Sequence, residues 1–163
     1  MHGITKVIHQ RVDMQAKYVK EQLKVANKRI VKLTSTLNDI ERYSKRRDLI
    51  IIGIPTKQME DTTSIIIDLT KSVSVNIGIK DIFATHFLPV RRVDSTQPVI
   101  VSFVCADERQ VIYSKHQRLK QMYNYKQVSI NEHLTLVNNT IYVRARKKLD
   151  KRRVFVRHGS IMM

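Results

Sequence analysis

Residues 41–55 read ERYSKRRDLIIIGIP, and in this stretch a cluster of basic residues runs directly into a run of aliphatic ones. The hydrophobic period changes at the same point. Apolar residues recur at helical spacing before the basic cluster, whereas Leu49–Ile52 is continuously apolar and is closed by Gly53 and Pro55. A short closed run of this kind predicts a buried strand, which we place at Asp48–Ile54. The stretch is therefore interpreted as the joint between a long helix and an α+β part of the chain.

A heptad pattern occupies the residues before the joint. Apolar side chains fall at two positions of the seven-residue repeat for about four heptads, and neither Pro nor Gly occurs between Ile4 and Gly53. So narrow a stripe predicts a coiled coil, while an amphipathic helix packed on its own domain is the alternative. The repeat does not choose between a dimer and a trimer. The predicted oligomerisation residues are Val12, Ala16, Val19, Leu23, Ala26, Ile30, Leu33, Leu37 and Ile40.

After the first strand, the pattern predicts the order helix, strand, strand, helix. The predicted elements are a helix from a cap at Asp61 to about Asn76, stopped by Gly78, strands Ile82–Val90 and Pro98–Val104, and a helix from Ala106 to about Met122. A split βαβ order of this kind is typical of a ferredoxin-like or RRM-like sandwich, in which helices cover one face of the sheet. The predicted fold class is therefore α+β.

The C-terminal residues predict a small α/β domain. A strand at Gln127–Ile130 either completes the preceding sheet or begins this new unit. A helix then runs from a cap at Thr135 to about Leu149, and strands Arg153–Arg157 and Ser160–Met163 flank a turn at His158-Gly159. We expect three parts, a coiled coil at 1–46, an RRM-like domain at 47–124 and a truncated C-terminal domain at 125–163.

The charge of the chain points to a polyanionic partner. Thirty basic and 14 acidic residues give a formal net charge of +16 at pH 7, which a folded protein bears only against self-repulsion. Nucleic acid is the commonest partner, an anionic membrane surface is the rival, and a solvated basic surface is the remaining alternative. No apolar run approaches the roughly 20 residues of a membrane span, and no signal peptide is recognisable, so we expect an intracellular protein without a membrane partner.

Basic residues cluster where the predicted elements begin or end, which is where a groove between units would be lined. Lys and Arg in such a groove contact a phosphate backbone, and aromatic residues among them offer rings for unpaired bases, while packing in the core or on the surface is the alternative for each tyrosine. These aromatic residues are Tyr43, Tyr113, Tyr123, Tyr125, Tyr142 and Phe155. The central predicted strands carry one aromatic residue, Phe103, so the sheet face is a poor platform for stacking. The candidate nucleic-acid-binding residues are Arg46, Arg47, Arg91, Arg92, Lys115, Arg118, Lys120, Arg144, Arg146, Lys147, Lys148 and Arg153.

Catalytic chemistry finds little support in the sequence. No nucleophile elbow, Walker loop or GxGxxG occurs, and the six histidines lie far apart without Cys or carboxylate partners at metal spacing. We therefore expect no enzyme, no catalytic residue, no metal, no cofactor and no small-molecule substrate. Cys105, in an apolar run, is predicted to be a buried core thiol, and His133 to take part in capping the last helix.

Four segments carry a resemblance to a known family. They are RRDLIIIGIP at 46–55, PVIVSFVCADERQVIYSKHQRLKQ at 98–121, VSINEHLT at 128–135 and VRARKKL at 143–149. With the coiled coil before them, they resemble the first-open-reading-frame RNA-binding proteins of LINE-type (non-LTR) retrotransposons. The similarity is greatest to the insect type, whose C-terminal region is shared with the baculoviral few-polyhedra (FP) protein, and it covers nearly the whole chain.

The resemblance implies a homo-trimer formed through the coiled coil. It also implies that each subunit holds single-stranded RNA or DNA in a basic cleft between an RRM-like domain and the C-terminal domain, without strong sequence preference. By position, Arg46 and Arg47 match the family's basic pair before the first strand. Arg118 and Lys120 match basic residues that end the second helix, and Arg146 matches the arginine of the C-terminal helix.

The family's role implies a nucleic-acid chaperone that coats its element's RNA in cytoplasmic ribonucleoprotein particles, with the nucleus as a further compartment. The chain departs from the family in ending at Met163, where the C-terminal domain normally continues, and in lacking a zinc-finger segment found in some relatives. A viral or host structural protein of the few-polyhedra type, acting through its coiled coil, is the alternative function.

Overall fold

The heptad region forms a single helix, α1 (His2–Ser44), in the computed structural model, which describes residues 2–54, 61–89 and 96–163. Its 43 residues correspond to about 65 Å at 1.5 Å per residue. Both apolar rows of the repeat are exposed in the single chain, and Leu33, for example, is 68% exposed. The predicted helix is confirmed, and its pairing with other copies stays a prediction. Across the described ranges, no helix has both the length and the hydrophobicity of a membrane span.

The chain divides into two units, residues 1–41 and residues 42–163. The second unit begins with the last residues of α1 and a 3₁₀ turn, Lys45–Arg47, that leads directly into the first strand. In this turn, Arg47 Nη1 donates a hydrogen bond to the carbonyl of Val104 (3.2 Å). The division predicted from the sequence, with boundaries at residues 46 and 124, stays a prediction.

The α+β unit contains a four-stranded sheet in which every neighbouring pair is antiparallel. Its strands are β1 (Asp48–Ile52), β2 (Ile82–Phe87), β3 (Val99–Phe103) and β4 (Ser129–Glu132), in the order β2-β3-β1-β4. The strand expected at Gln127–Ile130 therefore completes this sheet beside β1, two residues later than predicted. Val90, the predicted end of the second strand, lies outside the described residues.

Gly53 ends β1 before the predicted Ile54. Its φ of +81° is a left-handed conformation that favours glycine, and an added Cβ would lie 2.5 Å from the carbonyl oxygen of Gln127. The backbone therefore passes so close to the approach to β4 that no other residue fits without displacement. Local backbone geometry, not hydrophobicity, sets the length of this strand.

One face of the sheet forms the core. Leu49 and Ile51 of β1 are buried with Val99, Val101 and Phe103 of β3, and apolar residues of the two helices that cover this face complete the cluster. Because alternate residues of a strand point to opposite faces, the other face of β1 and β3 presents no aromatic ring. The residues of these two strands on that open face are Asp48, Ile50, Ile52, Ile100 and Ser102.

Helix α2 (Thr62–Ser72) begins at the predicted cap, Asp61. The Asp61 carboxylate accepts hydrogen bonds from the hydroxyl of Ser64 (2.8 Å) and from the backbone N–H groups of Thr63 (3.2 Å) and Ser64 (3.1 Å). The Ser64 hydroxyl, followed by these N–H groups, holds the pKa of the Asp61 carboxyl below its usual range. The start of this helix is thus fixed by local polar chemistry visible in the sequence.

The end of α2 differs from the prediction, because the helix stops at Ser72 and not near Asn76. Ser74 adopts a left-handed φ of +60°, and the N–H of Val75 donates to the carbonyl of Thr70 (2.9 Å). The N–H of Ser74 donates to the next carbonyl along the helix (2.9 Å), which completes a Schellman motif. Glycine usually occupies the left-handed position after a helix. Because serine occupies it here, the sequence does not show where the helix ends.

Helix α3 (Ala106–Lys115) is also shorter than predicted, because the chain tightens into a 3₁₀ helix (His116–Gln121) and does not continue as an α-helix to Met122. Leu119 within the 3₁₀ helix is fully buried and joins the core. With three residues per turn, this segment displaces its basic side chains from the α-helical register that the sequence implied.

Cys105 is exposed, and the prediction of a buried thiol is wrong. The strand that precedes it ends at Phe103, so Cys105 lies in the surface connection to α3 and not on the inner face of the sheet. Its backbone N–H donates to Glu108 Oε2 (3.1 Å), which satisfies one free donor at the start of the helix.

The last helix, α4 (Leu136–Lys148), begins at the predicted cap. The hydroxyl of Thr135 accepts a hydrogen bond from the backbone N–H of Asn138 (3.1 Å), so this prediction is confirmed.

The predicted C-terminal hairpin is also confirmed. Its strands are β5 (Phe155–Arg157) and β6 (Ser160–Met162), and they pair as a separate two-stranded sheet. The turn residues His158 and Gly159 both have positive φ, +51° and +73°, as a two-residue hairpin turn requires.

Candidate nucleic-acid interface

A buried carboxylate, Glu132 at the end of β4, ties the C-terminal hairpin to the rest of the α+β unit. Its oxygens accept hydrogen bonds from the turn N–H groups of His158 (3.2 Å) and Gly159 (2.6 Å). The same carboxylate is ion-paired with Arg109 of α3, with 3.1 Å between Oε2 and Nη2. One side chain therefore joins β4, α3 and the hairpin.

The ion pair of Glu132 and Arg109 is almost completely shielded from solvent, since their side chains are 4% and 5% exposed. Arg109 also donates to Gln110 (2.9 Å) and lies 4.9 Å from the ring centroid of Tyr113, while its Nε has no partner among the described residues. Burial, followed by the nearby Glu132 carboxylate, raises the pKa of the Tyr113 phenol above its usual range. Tyr113 is therefore neutral at physiological pH.

Two more side chains hold the hairpin turn. Asn138 Nδ2 on α4 donates to the carbonyl of Gly159 (2.6 Å), and Arg42 Nη1 donates to the hydroxyl of Ser160 (2.8 Å). An added Cβ at Gly159 would lie 2.9 Å from Cγ of Arg42. These contacts, with those of Glu132, fix the hairpin against α4.

A cleft of about 610 Å³ lies between α4, β5 and the open face of the sheet. From the sheet, Ile50, Ile52 and Asn131 line it, and from the other side Tyr142 and Phe155 do so. Phe155 is 51% exposed, so its ring is accessible. Clefts of about 300–1,000 Å³, mainly apolar with a few polar groups, are typical of sites that hold a small organic group. The cleft thus offers apolar and aromatic surface to such a group.

Arg146 of α4 lines the same cleft. Its Nη1 donates to the hydroxyl of Tyr142 (2.8 Å), and the guanidinium lies 5.3 Å from that ring's centroid. The spacing of four residues brings these two side chains together on one face of the helix. The bond to Tyr142 uses one of five N–H donors, so the oriented guanidinium has further donors for a ligand.

The polar edge of the cleft is formed by His133 and Lys45. His133 Nδ1 lies 3.0 Å from a carboxylate oxygen of Asp48, and Lys45 Nζ donates to the carbonyl of Leu134 (3.3 Å). The prediction that His133 helps to cap α4 is wrong. Leu49 is paired with Glu132 in the antiparallel ladder. His133, the residue after Glu132, therefore lies opposite Asp48, the residue before Leu49.

A run of cations surrounds the end of α4. Residues 144–157 contain eight basic residues and one acidic residue. Those between 144 and 153 that are exposed are Arg144, Lys147, Lys148, Lys151, Arg152 and Arg153. None of the six is ion-paired with a carboxylate in the part of the chain that the structure describes. These charges therefore produce a positive potential beside the cleft. We call these six residues the basic rim.

The other predicted binding residues do not gather at the cleft. Arg146 lines it, whereas Arg118 and Lys120 are exposed on the 3₁₀ helix after α3 and do not line it. Lys115 Nζ donates to a backbone carbonyl at the end of α2 (3.0 Å). Arg46 stacks on the ring of Tyr43, 3.8 Å from its centroid.

Arg91 and Arg92, also predicted binding residues, lie outside the described residues. Asn131 and Asn139 also line the cleft and are not among the predicted binding residues. Alternation along β4 could have placed Asn131 on the open face, because its neighbours Ile130 and Glu132 are buried. Nothing local indicates that α4 folds over that face.

Comparison of the sequence with protein-family models finds no matching family, and comparison with curated proteins finds no significant match. Within residues 2–54, 61–89 and 96–163, no group of three or more His, Cys, Asp or Glu side chains is arranged to hold a metal ion. The cleft and the charge beside it are therefore the features from which a function can be inferred.

Proposed function

We propose that this protein binds single-stranded RNA or DNA as a homo-oligomer, without strong sequence preference. The observation that carries the proposal is a cleft whose lining includes the aromatic side chains of Tyr142 and Phe155, beside the basic rim. Unpaired bases stack on such rings while their phosphates contact Lys and Arg. A duplex keeps its bases stacked on each other and offers mainly its phosphates, so this arrangement favours a single strand.

Within this proposal, the rings of Tyr142 and Phe155 receive a base, and Arg146 contacts an adjoining phosphate. The basic rim then follows the backbone on either side of the bound nucleotide. Phosphate contacts position the strand without reading its sequence, which accounts for weak sequence preference.

The fold supports the proposal, but with the base site in a different place from that of an RRM domain. The strand order β2-β3-β1-β4 in an antiparallel sheet, with one helix between β1 and β2 and another between β3 and β4, supports the ferredoxin-like, RRM-like domain that the sequence predicts. RRM domains stack bases on aromatic residues of their central strands. The open face here carries Ile50 and Ile100 instead, so the base site that we propose lies between the sheet and α4.

The oligomer is inferred from α1. Leu23, Ile30, Leu33, Leu37 and Ile40 are each more than half exposed in the single chain. Burying an aliphatic side chain of this size contributes about 1.5–3 kcal/mol, so two apolar rows over four heptads favour self-association. The resemblance favours a trimer. Several heads on one coil would bind one long strand with higher avidity than a single head.

The resemblance further suggests a chaperone of a non-LTR retrotransposon, or a protein derived from one, working in ribonucleoprotein particles. We propose a binding role and not catalysis. A few-polyhedra type of structural protein, acting through α1, is the second candidate, and the exposed heptad rows are the observation that favours it. Equal competition by RNA and by an acidic polypeptide would support this second candidate.

Binding of a fluorescent single-stranded RNA, measured by anisotropy over a range of salt concentrations, tests the proposal. Phe155→Ala should weaken binding by about 5- to 150-fold, the range for loss of one base–aromatic stack, with little change in salt dependence. Arg146→Ala should weaken binding and lower the slope of log K against log salt by about 0.7. Arg118→Ala should have the smaller effect of the two arginine variants, because Arg118 does not line the cleft.

Lys80→Ala is the matched control for the cation, because Lys80 is exposed and does not line the cleft. It should bind like the parent protein. If Phe155→Ala and Arg146→Ala both retain full affinity in folded protein, the cleft is not the binding site.

A further inference from the structure

Two amide side chains in the cleft have hydrogen-bonding capacity that the protein does not use. Asn131 of β4 and Asn139 of α4 both line the cleft and are both exposed to solvent. Asn131 Nδ2 makes one long contact, 3.4 Å, with the hydroxyl of Ser129. The side chain of Asn139 makes no hydrogen bond within the described residues. An amide side chain has four donor and acceptor sites, so all four sites of Asn139 and three sites of Asn131 would otherwise face water.

The charged side chains that line the cleft already have protein partners. Glu132 is bound by Arg109 and the hairpin turn, and His133 by Asp48. Lys45 and Arg146 each donate to a protein oxygen. Among the polar side chains at the cleft, the two amides are therefore the neutral groups most open to a ligand.

The positions of these amides suit a nucleobase. Asn139, Tyr142 and Arg146 follow one another at spacings of three and four residues, so they form one stripe along α4. Their Cα atoms are then about 4.5 and 6 Å apart along the helix axis, and the Arg146 guanidinium lies 5.3 Å from the centroid of the Tyr142 ring. A nucleotide needs the same three partners, for its base edge, its base face and its phosphate. Asn131 approaches from the sheet, where it is paired with Ile50 on the open face.

A carboxamide offers a donor and an acceptor side by side, which is the pattern that matches a base edge and not a phosphate. The bidentate pairing of Asn with adenine, at N6 and N7, is the common form of this contact. We infer that Asn131 and Asn139 read a base edge in the cleft and give it a preference for adenine. This inference rests on the proposed function and adds one selective subsite to an otherwise sequence-tolerant protein.

The test compares single-stranded oligomers of about 15 nucleotides, the upper size for one binding module. Oligoadenosine is measured against oligouridine, oligocytidine and an oligomer in which purine riboside replaces adenosine. Purine riboside keeps the stacking surface and lacks the N6 amino group. A good bidentate contact corresponds to about 5- to 150-fold discrimination, so adenosine should bind more tightly than purine riboside by a factor in this range.

The variant N131A/N139A should lose this preference while its salt slope stays that of the parent protein, because no phosphate contact is removed. The matched control is N76A/N124A, which changes two exposed asparagines outside the cleft and should keep the preference. Equal binding of adenosine and purine riboside, or a preference that survives in N131A/N139A, would overturn the inference. Absence of salt-dependent binding to every oligomer would instead refute the proposed function itself.

Discussion

Replacing Glu132 by Gln should destabilise the α+β unit strongly. The substitution leaves the shape of the side chain almost unchanged but removes the negative charge that faces Arg109. Because both side chains are at least 95% buried, the guanidinium would remain in the interior without a counter-charge. Breaking a buried ion pair by removing one partner costs about 3–5 kcal/mol.

The hairpin turn adds to this cost. The two N–H groups of His158 and Gly159 both donate to the carboxylate, whereas an amide can offer only one acceptor oxygen. These hydrogen bonds are half-buried, so the loss of one costs about 1 kcal/mol, and the two contributions overlap because they share one side chain. We therefore expect a loss of about 4 kcal/mol. Since domains are stable by only about 5–15 kcal/mol, this is a large fraction of the total.

Urea unfolding followed by near-ultraviolet circular dichroism provides the assay, because Tyr113 and Tyr125 pack against the core of the α+β unit. With a urea dependence of about 2 kcal/mol per molar, the midpoint should fall by about 2 M. Asp107→Asn is the matched control, since Asp107 is an exposed carboxylate on α3 and surface substitutions usually change stability by less than about 0.5 kcal/mol.

A double-mutant cycle separates the ion pair from the turn. In the combination of Arg109→Met with Glu132→Gln, no uncompensated charge remains, so the loss should be smaller than the sum of the two single losses by at least about 1 kcal/mol. A single-variant loss below about 1 kcal/mol, or strictly additive effects in the cycle, would refute this reading of Glu132.

Three further outcomes are expected. Gly159→Ala should destabilise the hairpin by about 1–2 kcal/mol in urea unfolding, because φ is +73° and the new Cβ would meet Arg42. Asp61 has a lower pKa in the folded chain than its ordinary value of 3.8. Its stabilising contribution is therefore present above pH 3.8 and is lost as the pH falls through the folded-state pKa. Asp61→Asn should remove this pH dependence from an acid titration of the free energy of unfolding. Cys105 should react fully with a thiol reagent under native conditions, since it is exposed, and protection until denaturant is added would contradict its surface position.

Periodicity was enough to predict most of the elements. The change from helical spacing to a closed apolar run fixed the junction near Arg47, and side-chain caps at Asp61 and Thr135 fixed two helix starts. These signals are local, since each depends on residues within a few positions of one another. Segment ends that depend on backbone geometry are harder to predict from the sequence. The left-handed Ser74 and the tightening after Lys115 leave no distinctive residue in the sequence.

The sequence predicts the chemical type of the candidate site, a basic surface, but not which residues line the cleft. Clustered charge indicated a basic surface, and half of the basic rim lies on α4 while the other half follows the helix. The residues that line the cleft come from strands and helices far apart in the chain, and only the tertiary fold brings Ile50, Asn131 and Tyr142 together. The same long-range packing leaves Arg118 outside the cleft and makes Glu132 a buried link to the hairpin, which sequence spacing alone does not encode.

The most direct test of the central claim is a salt titration of binding to fluorescent single-stranded RNA, with unlabelled duplex DNA as the competitor. If Arg146 and the six exposed cations of the basic rim each contact one phosphate, the slope of log K against log salt should be about −5, equivalent to a loss of roughly 1,000-fold between about 50 and 200 mM salt. Tight binding with this slope, poorly competed by duplex, is the predicted result. No binding at low salt, or equal competition by duplex, would contradict a cleft built for single strands.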